Sequence, residues 1–136
     1  MELIYKGAEA ELYKTDYHSL SAVLKNRISK GYRIKGIDNK IRRERVKTEC
    51  QNILSARKAV NTPHIYSVDL EDASFIMGYL EGNKVRDLFY KDKELEAIPK
   101  EAGKAVKKMH DLGLIHGDLT TSNMLWNGEL SFIDFG

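Results

Sequence analysis

The run His116-Gly117-Asp118-Leu119-Thr120-Thr121-Ser122-Asn123, followed by Met124-Leu125-Trp126 and then Phe132-Ile133-Asp134-Phe135-Gly136, constrains this chain more than any other feature. It requires a polar loop that opens directly into a pair of short strands. Asp118 and Asn123 stand five residues apart in the loop, and Asp134 follows on the hairpin. Such a hairpin brings Asn123 and Asp134 to one site. An amide oxygen and a carboxylate are hard donors of the kind magnesium takes alongside phosphates and water. Asp118 is then available to orient an attacking hydroxyl or water and to accept its proton. A surface loop whose Asp and Asn merely cap turns would use the same residue types. The conjunction of the spacing, the strand pair and the Asp-Phe-Gly weighs against it.

The rest of the chain reads as strands first and helices later. Apolar runs at Leu3 to Tyr5, Ala10 to Tyr13 and Leu20 to Leu24 are separated by Gly7-Ala8-Glu9 and by Thr15 to Ser19, which predicts an antiparallel meander. From Asp38 to about Ala59 there is neither Gly nor Pro, and Val46, Cys50, Ile53 and Leu54 recur at helical spacing, with Asp38 as the expected cap. Pro63 closes that helix. His64 to Leu70 and Ala73 to Leu80 are two more strands, joined by a turn at Glu71-Asp72. After Gly82 the pattern is helical: a short piece at Val85 to Phe89, then a helix with Pro99 as its first residue and Ala102, Ala105, Val106 and Met109 on one face, stopping at Gly113. No stretch approaches the ~18 apolar residues of a membrane span, so no membrane partner is expected. The start carries charges instead of a signal-peptide core. The single cysteine, Cys50, excludes an intramolecular disulfide and suits a reducing cytoplasm.

Charge is uneven. Lys25 to Lys47 holds ten basic residues against Asp38 and Glu44, so it carries +8 while the remainder sums to −6. A solvated helix face and a phosphate-rich partner both explain this. Within that segment Lys40, Arg43 and Lys47 share one outward face, whereas Val46 and Glu49 point toward the sheet. Lys25 ends an apolar strand, where a lysine can reach nucleotide phosphates. Glu49 lies on or beside the apolar stripe of the long helix and needs a cation, because an unpaired buried carboxylate is costly. Lys25 is the candidate, with Arg45 and Lys47 as alternatives on the same helix. His110 and His116 lack further ligands nearby to complete a metal site.

Taken together, the loop, the Asp-Phe-Gly and the Lys25/Glu49 pair resemble the protein-kinase-like superfamily. His-Gly-Asp also occurs in aminoglycoside-type phosphotransferases and in the RIO family. The full run from His116 to Asn123 resembles the small kinase-ATPase of the KEOPS (EKC) complex. So do Lys25-Asn26-Arg27-Ile28-Ser29-Lys30-Gly31-Tyr32-Arg33, Arg42-Arg43-Glu44-Arg45 leading to Glu49, and the opening Gly7-Ala8-Glu9-Ala10. The departures from ordinary protein kinases are informative. One glycine remains in the loop at Gly7, Gly117 stands where an arginine anchors a phosphorylated activation loop, and Thr120 replaces a lysine near the transferred phosphate. Control by activation-loop phosphorylation is therefore not expected, and phosphoryl transfer is expected to be slow.

The resemblance implies an α+β, two-lobed protein-kinase-like fold. Residues 1–80 would form an N-terminal lobe, with a five-stranded antiparallel sheet and one long helix. Residues 81–136 would form the hinge and an incomplete helical C-terminal lobe. The implied cofactors are ATP and Mg2+. Gly7, Ala8, Glu9 and Ala10 would cover the phosphates, Lys25 and Glu49 would form the phosphate-binding pair, and Met77, Gly78 and Leu80 would line the adenine hinge. Asn123 and Asp134 would bind the metal, with Asp118 as the catalytic base and His116 as a scaffold residue. The implied activity is atypical serine/threonine kinase and ATPase, supporting threonylcarbamoyl-adenosine modification of tRNA. The implied partners are the threonylcarbamoyl-transferase subunit, a small accessory subunit, and tRNA through the basic segment. A nucleotide-binding scaffold and a RIO-like or small-molecule kinase are the alternatives. Because the chain stops at an apolar strand followed by Asp-Phe-Gly, it is expected to be part of a longer protein, cytoplasmic and, in a eukaryote, also nuclear.

Overall fold

The computed structural model describes residues 1–88, 97–114 and 123–135. They form two compact units, one of residues 1–50 and 64–79, the other of residues 51–63 and 80–135. The first unit is built on β1 (Glu2–Lys6), β2 (Ala10–Tyr17), β3 (Leu20–Arg27), the greater part of α1 (Lys35–Ala56), β4 (Ile65–Asp69) and β5 (Ser74–Gly78). The second holds the end of α1, then β6 (Asn83–Lys84), α2 (Val85–Leu88), α3 (Ala97–Asp111), β7 (Met124–Trp126) and β8 (Leu130–Phe132). The α+β class and the five-stranded sheet are as the sequence predicts.

The sheet of the first unit runs β1-β2-β3-β5-β4, every pairing antiparallel. Strand β2 extends to Tyr17, so the stretch Thr15 to Ser19 is not the separator its polar composition predicts. His18 and Ser19 alone make the turn, with φ of 47° and 68°. Two positive φ values twist the turn in the sense that the strands require, and this geometry usually recruits Asn-Gly. Without those residues the sequence gives no signal for so tight a turn.

Helix α1 begins at Lys35, not at Asp38, and ends at Ala56, short of the predicted Ala59. Its inner stripe is Asp38, Arg42, Val46, Glu49, Ile53 and Ala56, at three- and four-residue steps. Val46, Ile53 and Ala56 are buried, and so are Asp38 and Glu49. Burying a side chain the size of Ile53 contributes roughly 1.5–3 kcal/mol, whereas the two carboxylates are tolerated only because each is paired. Asp38 does not cap the helix. Its backbone N–H donates to the carbonyl of Ile34, and its carboxylate accepts from Ser29 Oγ and Lys30 N at 3.0 Å and from Arg42 Nε at 2.9 Å. Arg33 approaches at 3.5 Å. Asp38 thereby ties the β3–α1 connection to the helix.

In the second unit a three-stranded sheet, β6-β7-β8, packs with α2 and α3. The two-residue β6 is too short to read from sequence. Pro99 is the third residue of the described part of α3 instead of its first, still within the turn whose N–H groups need no helical partner. Met109 and Ile98 are the buried residues of α3, with Ala102, Ala105 and Val106 half-buried along the predicted face. Gly113 has φ 75°, and its N–H donates to the carbonyl of His110, the left-handed stop expected there. Among the described residues, no helix is long and apolar enough to cross a membrane.

Candidate functional site

The first element of the site is a buried ion triplet. Side chains on β3 alternate between its faces, so Val23, Lys25 and Arg27 point the same way, and all three are buried. Glu49, 1% exposed, meets them from α1. Lys25 Nζ lies 2.7 Å from Glu49 Oε2, and Arg27 Nη2 lies 2.8 Å from Glu49 Oε1. The Lys25–Glu49 pair is the one the sequence predicts. The alternatives are excluded: Arg45 binds Glu9 at 2.7 Å, and Lys47 is exposed on the opposite side of the helix. Arg27 is the participant that sequence reasoning missed. The signal was its position two residues after Lys25, which puts both cations on one face of β3.

Arg27 Nε is buried without a hydrogen-bond partner, the one such side-chain atom among the described residues. An unsatisfied buried donor of this kind costs about 1–3 kcal/mol. The adjacent Cys50 is also buried, and its thiol is pushed up to about 11, by burial first and then by the Glu49 charge, with Lys25 opposing. It therefore remains a protonated thiol at neutral pH.

The second element is the β1–β2 loop, Gly7-Ala8-Glu9-Ala10. The Gly7 N–H donates to the Ala10 carbonyl at 2.9 Å, and the Ile28 N–H donates to the Glu9 carbonyl at 3.0 Å. The Glu9 carboxylate binds Arg45 at 2.7 Å and has Lys30 at 3.9 Å, while Lys30 Nζ also donates to the Ala8 carbonyl. A Cβ on Gly7 would stand 2.9 Å from the ring of Tyr5, an exposed side chain that would have to swing aside. The loop is held by ion pairs to the basic segment in place of further glycines.

The third element is the end of β5. Met77 pairs with Val23, and Gly78 pairs with Ala22. The Gly78 N–H donates to the His64 carbonyl at 2.7 Å, and a Cβ there would meet the Tyr66 hydroxyl at 3.0 Å. Leu80, half-buried, opens the second unit.

The fourth element is the β7–β8 hairpin, in register Met124↔Phe132, Leu125↔Ser131 and Trp126↔Leu130. The pairing continues one step further, where the Ile133 N–H donates to the Asn123 carbonyl at 2.9 Å. Asn123 and Asp134 therefore both lie at the open end of the hairpin. Asp134 has φ 60°, a left-handed conformation that Asp tolerates better than most residues, and Phe135 beside it is buried. The Phe135 carbonyl accepts from Asn52 Nδ2 at 3.2 Å, and Asn61 supports β8 through its carbonyl to Phe132 N–H and through Nδ2 to the Leu130 carbonyl. One amide oxygen and one carboxylate fit a magnesium ion that takes its remaining donors from phosphate and water. They do not form an all-protein cage, and no cluster of three or more His, Cys, Asp or Glu exists among the described residues. Asp118, His116, Gly117 and Thr120 lie outside the described residues.

The RIO domain model matches residues 8–136. A probable bifunctional tRNA threonylcarbamoyladenosine biosynthesis protein of Methanobrevibacter smithii is 43% identical, over 98% of this chain and 24% of that protein. The KEOPS complex subunit Bud32 of Pyrococcus abyssi is 39% identical, over 100% of this chain and 66% of that protein. The chain thus spans less than two thirds of either relative. Among solved structures, the Rio2 kinase of Chaetomium thermophilum, in its ADP/Mg2+-phosphoaspartate complex, aligns with a TM-score of 0.81 at 18% identity, over 96% of this chain and 45% of that one. That likeness concerns the fold. With a domain model matched from the β1–β2 loop to the Asp-Phe-Gly, the chain belongs to the RIO-domain family of kinase-like proteins.

Proposed function

We propose that this chain is the ATP-binding part of a KEOPS subunit of the Bud32 kind, using ATP and Mg2+ for hydrolysis and for phosphoryl transfer to serine or threonine. In this reading it supports threonylcarbamoyl-adenosine formation on tRNA in the cytoplasm. The buried Lys25–Glu49 pair carries the proposal. A lysine removed from water, with its charge balanced by a helix carboxylate, is suited to binding phosphate. The relatives' names supply the KEOPS and tRNA context, and the ADP/Mg2+ of the Rio2 complex supports the same cofactors here.

In this reading Lys25 holds phosphate oxygens, and the loop from Gly7 to Ala10 covers them. Met77, Gly78 and Leu80 receive the adenine. Asn123 and Asp134 would hold magnesium, which when bound neutralises charge on the phosphates. Asp118 orients the attacking hydroxyl or water and accepts its proton. The threonylcarbamoyl-transferase subunit and a small accessory subunit would be the protein partners. Exposed Lys40, Arg43 and Lys47 would serve tRNA.

Full-length protein tests the roles separately. Asp134→Ala is expected to abolish magnesium-dependent ATP hydrolysis, and Asn123→Ala to weaken it. Asp118→Asn keeps the shape and removes the proton acceptor, so ATP should still bind while turnover falls about 10²-fold or more. Undiminished hydrolysis by Asp118→Asn would remove it from the mechanism.

A further inference from the structure

Glu49 is shared by two cations that approach different oxygens, Lys25 on Oε2 and Arg27 on Oε1. All three residues are nearly excluded from water, Lys25 and Arg27 at 7% exposure and Glu49 at 1%. If Lys25 were the sole counter-ion of so buried a carboxylate, any turn of its ammonium toward a phosphate would strand Glu49 in the interior. With Arg27 on the other oxygen, Glu49 stays compensated whatever Lys25 does. Arg27 achieves this at a cost to the fold, because its Nε is buried without a partner. A purely structural pair would be better served by Lys25 and Glu49 alone, with an apolar side chain at position 27.

We infer that Arg27 is a positioning residue for nucleotide phosphates. It anchors Glu49 independently of Lys25 and so releases the Lys25 ammonium for the phosphate. The inference rests on the nucleotide reading above and adds to it a residue that the lysine–glutamate pair does not include. Arg27 itself need not touch the nucleotide. Its guanidinium is committed to Glu49, and its backbone carbonyl accepts from Arg42 at 3.3 Å, which fixes the end of β3 against α1.

The test compares Arg27→Met with Arg27→Lys in the full-length protein, using ATP with magnesium and adenosine as two separate probes. Arg27→Met makes Lys25 the only counter-ion of Glu49, so ATP affinity is expected to fall about tenfold. KM for ATP should rise with kcat changed much less, while adenosine, which has no phosphates, binds as in the parent. Because the change also removes the orphan donor and leaves Glu49 paired, the melting temperature should not fall. Arg27→Lys keeps a cation without an Nε and should restore ATP affinity to near the parent value. Failure of Arg27→Met to fold would count against the inference too, because it would show Arg27 to be needed for the fold even with Lys25 still paired to Glu49. Unchanged ATP affinity in Arg27→Met, equal losses for ATP and adenosine, or no rescue by Arg27→Lys would each overturn the inference. If the parent itself binds no ATP, the nucleotide reading fails instead, and the two failures are told apart by that measurement.

Discussion

At the scale of single residues, charge is used inside this fold as well as on its surface. Asp38 is buried, and its carboxyl is held below the usual carboxylate range. The N–H of Lys30 is the main cause, Ser29 and Arg42 add to it, and burial opposes it. A depressed folded-state value means that Asp38 contributes stability fully above its ordinary value of about 4, and that this contribution is lost as pH falls through the lowered one. Asp38→Asn should therefore lower the melting temperature at neutral pH and make its decline in acid shallower. Melting curves recorded from pH 7 down to the acid limb check both effects. Cys50 offers a second readout. Its thiol, raised to about 11 and buried, should react with a thiol reagent at pH 8 only through opening of the α1–β3 packing. Reaction as fast in native protein as in urea would contradict that burial.

At the scale of elements, the β2–β3 turn and α1 are informative because sequence patterns miss part of each. Ser19 sits at φ 68° with no glycine to relieve it, and a left-handed conformation costs a non-glycine residue roughly 1 kcal/mol. Ser19→Gly should raise the melting temperature by a few degrees, which thermal denaturation would show directly. The inner stripe of α1 has its charged members, Asp38, Arg42 and Glu49, interleaved with apolar ones. Asp38 pairs with the connection before the helix and Glu49 with β3, so the stripe is wholly apolar only after Glu49, at Ile53 and Ala56. The β7–β8 hairpin depends on Asn61, whose side chain and backbone both bind β8. Asn61→Ala removes one side-chain bond and should cost about 1 kcal/mol. The accompanying rise in hydrogen exchange should be greatest at Phe132 and Ile133.

At the scale of the molecule, the +8 segment divides into two populations. Lys25, Arg27, Lys30, Arg33, Arg42 and Arg45 are engaged with Glu49, Asp38 and Glu9, and Lys35 is exposed at the start of α1. Lys40, Arg43 and Lys47 are exposed, and no carboxylate pairs with them among the described residues. Much of the segment's charge thus balances acids within the fold, and the surplus is concentrated on one helix face. Reversing Lys40, Arg43 and Lys47 to Glu in the full-length assembly should weaken tRNA binding and reduce its salt dependence, leaving basal ATP hydrolysis unchanged. Equal tRNA affinity across a salt titration would mean that this face is only solvated.

Pattern along the chain was enough for the element types, the α+β class and the place of Asn123 and Asp134 at one end of a hairpin, and it narrowed the partners of Glu49 to Lys25, Arg45 and Lys47. Each follows from a local period or from a fixed spacing across one hairpin. The tertiary structure decided what depends on distant partners. The period of β3 puts Arg27 beside Lys25, but only the approach of α1 reveals that one carboxylate serves both. Asp38 looks like a helix cap from its neighbours along the chain, and it becomes an anchor because the connection from β3 folds back onto it. The extent of β2 and the existence of β6 were likewise settled by strands that pair across the fold. A polar residue shows its type in the sequence, whereas its partner is set by packing between segments far apart in the chain.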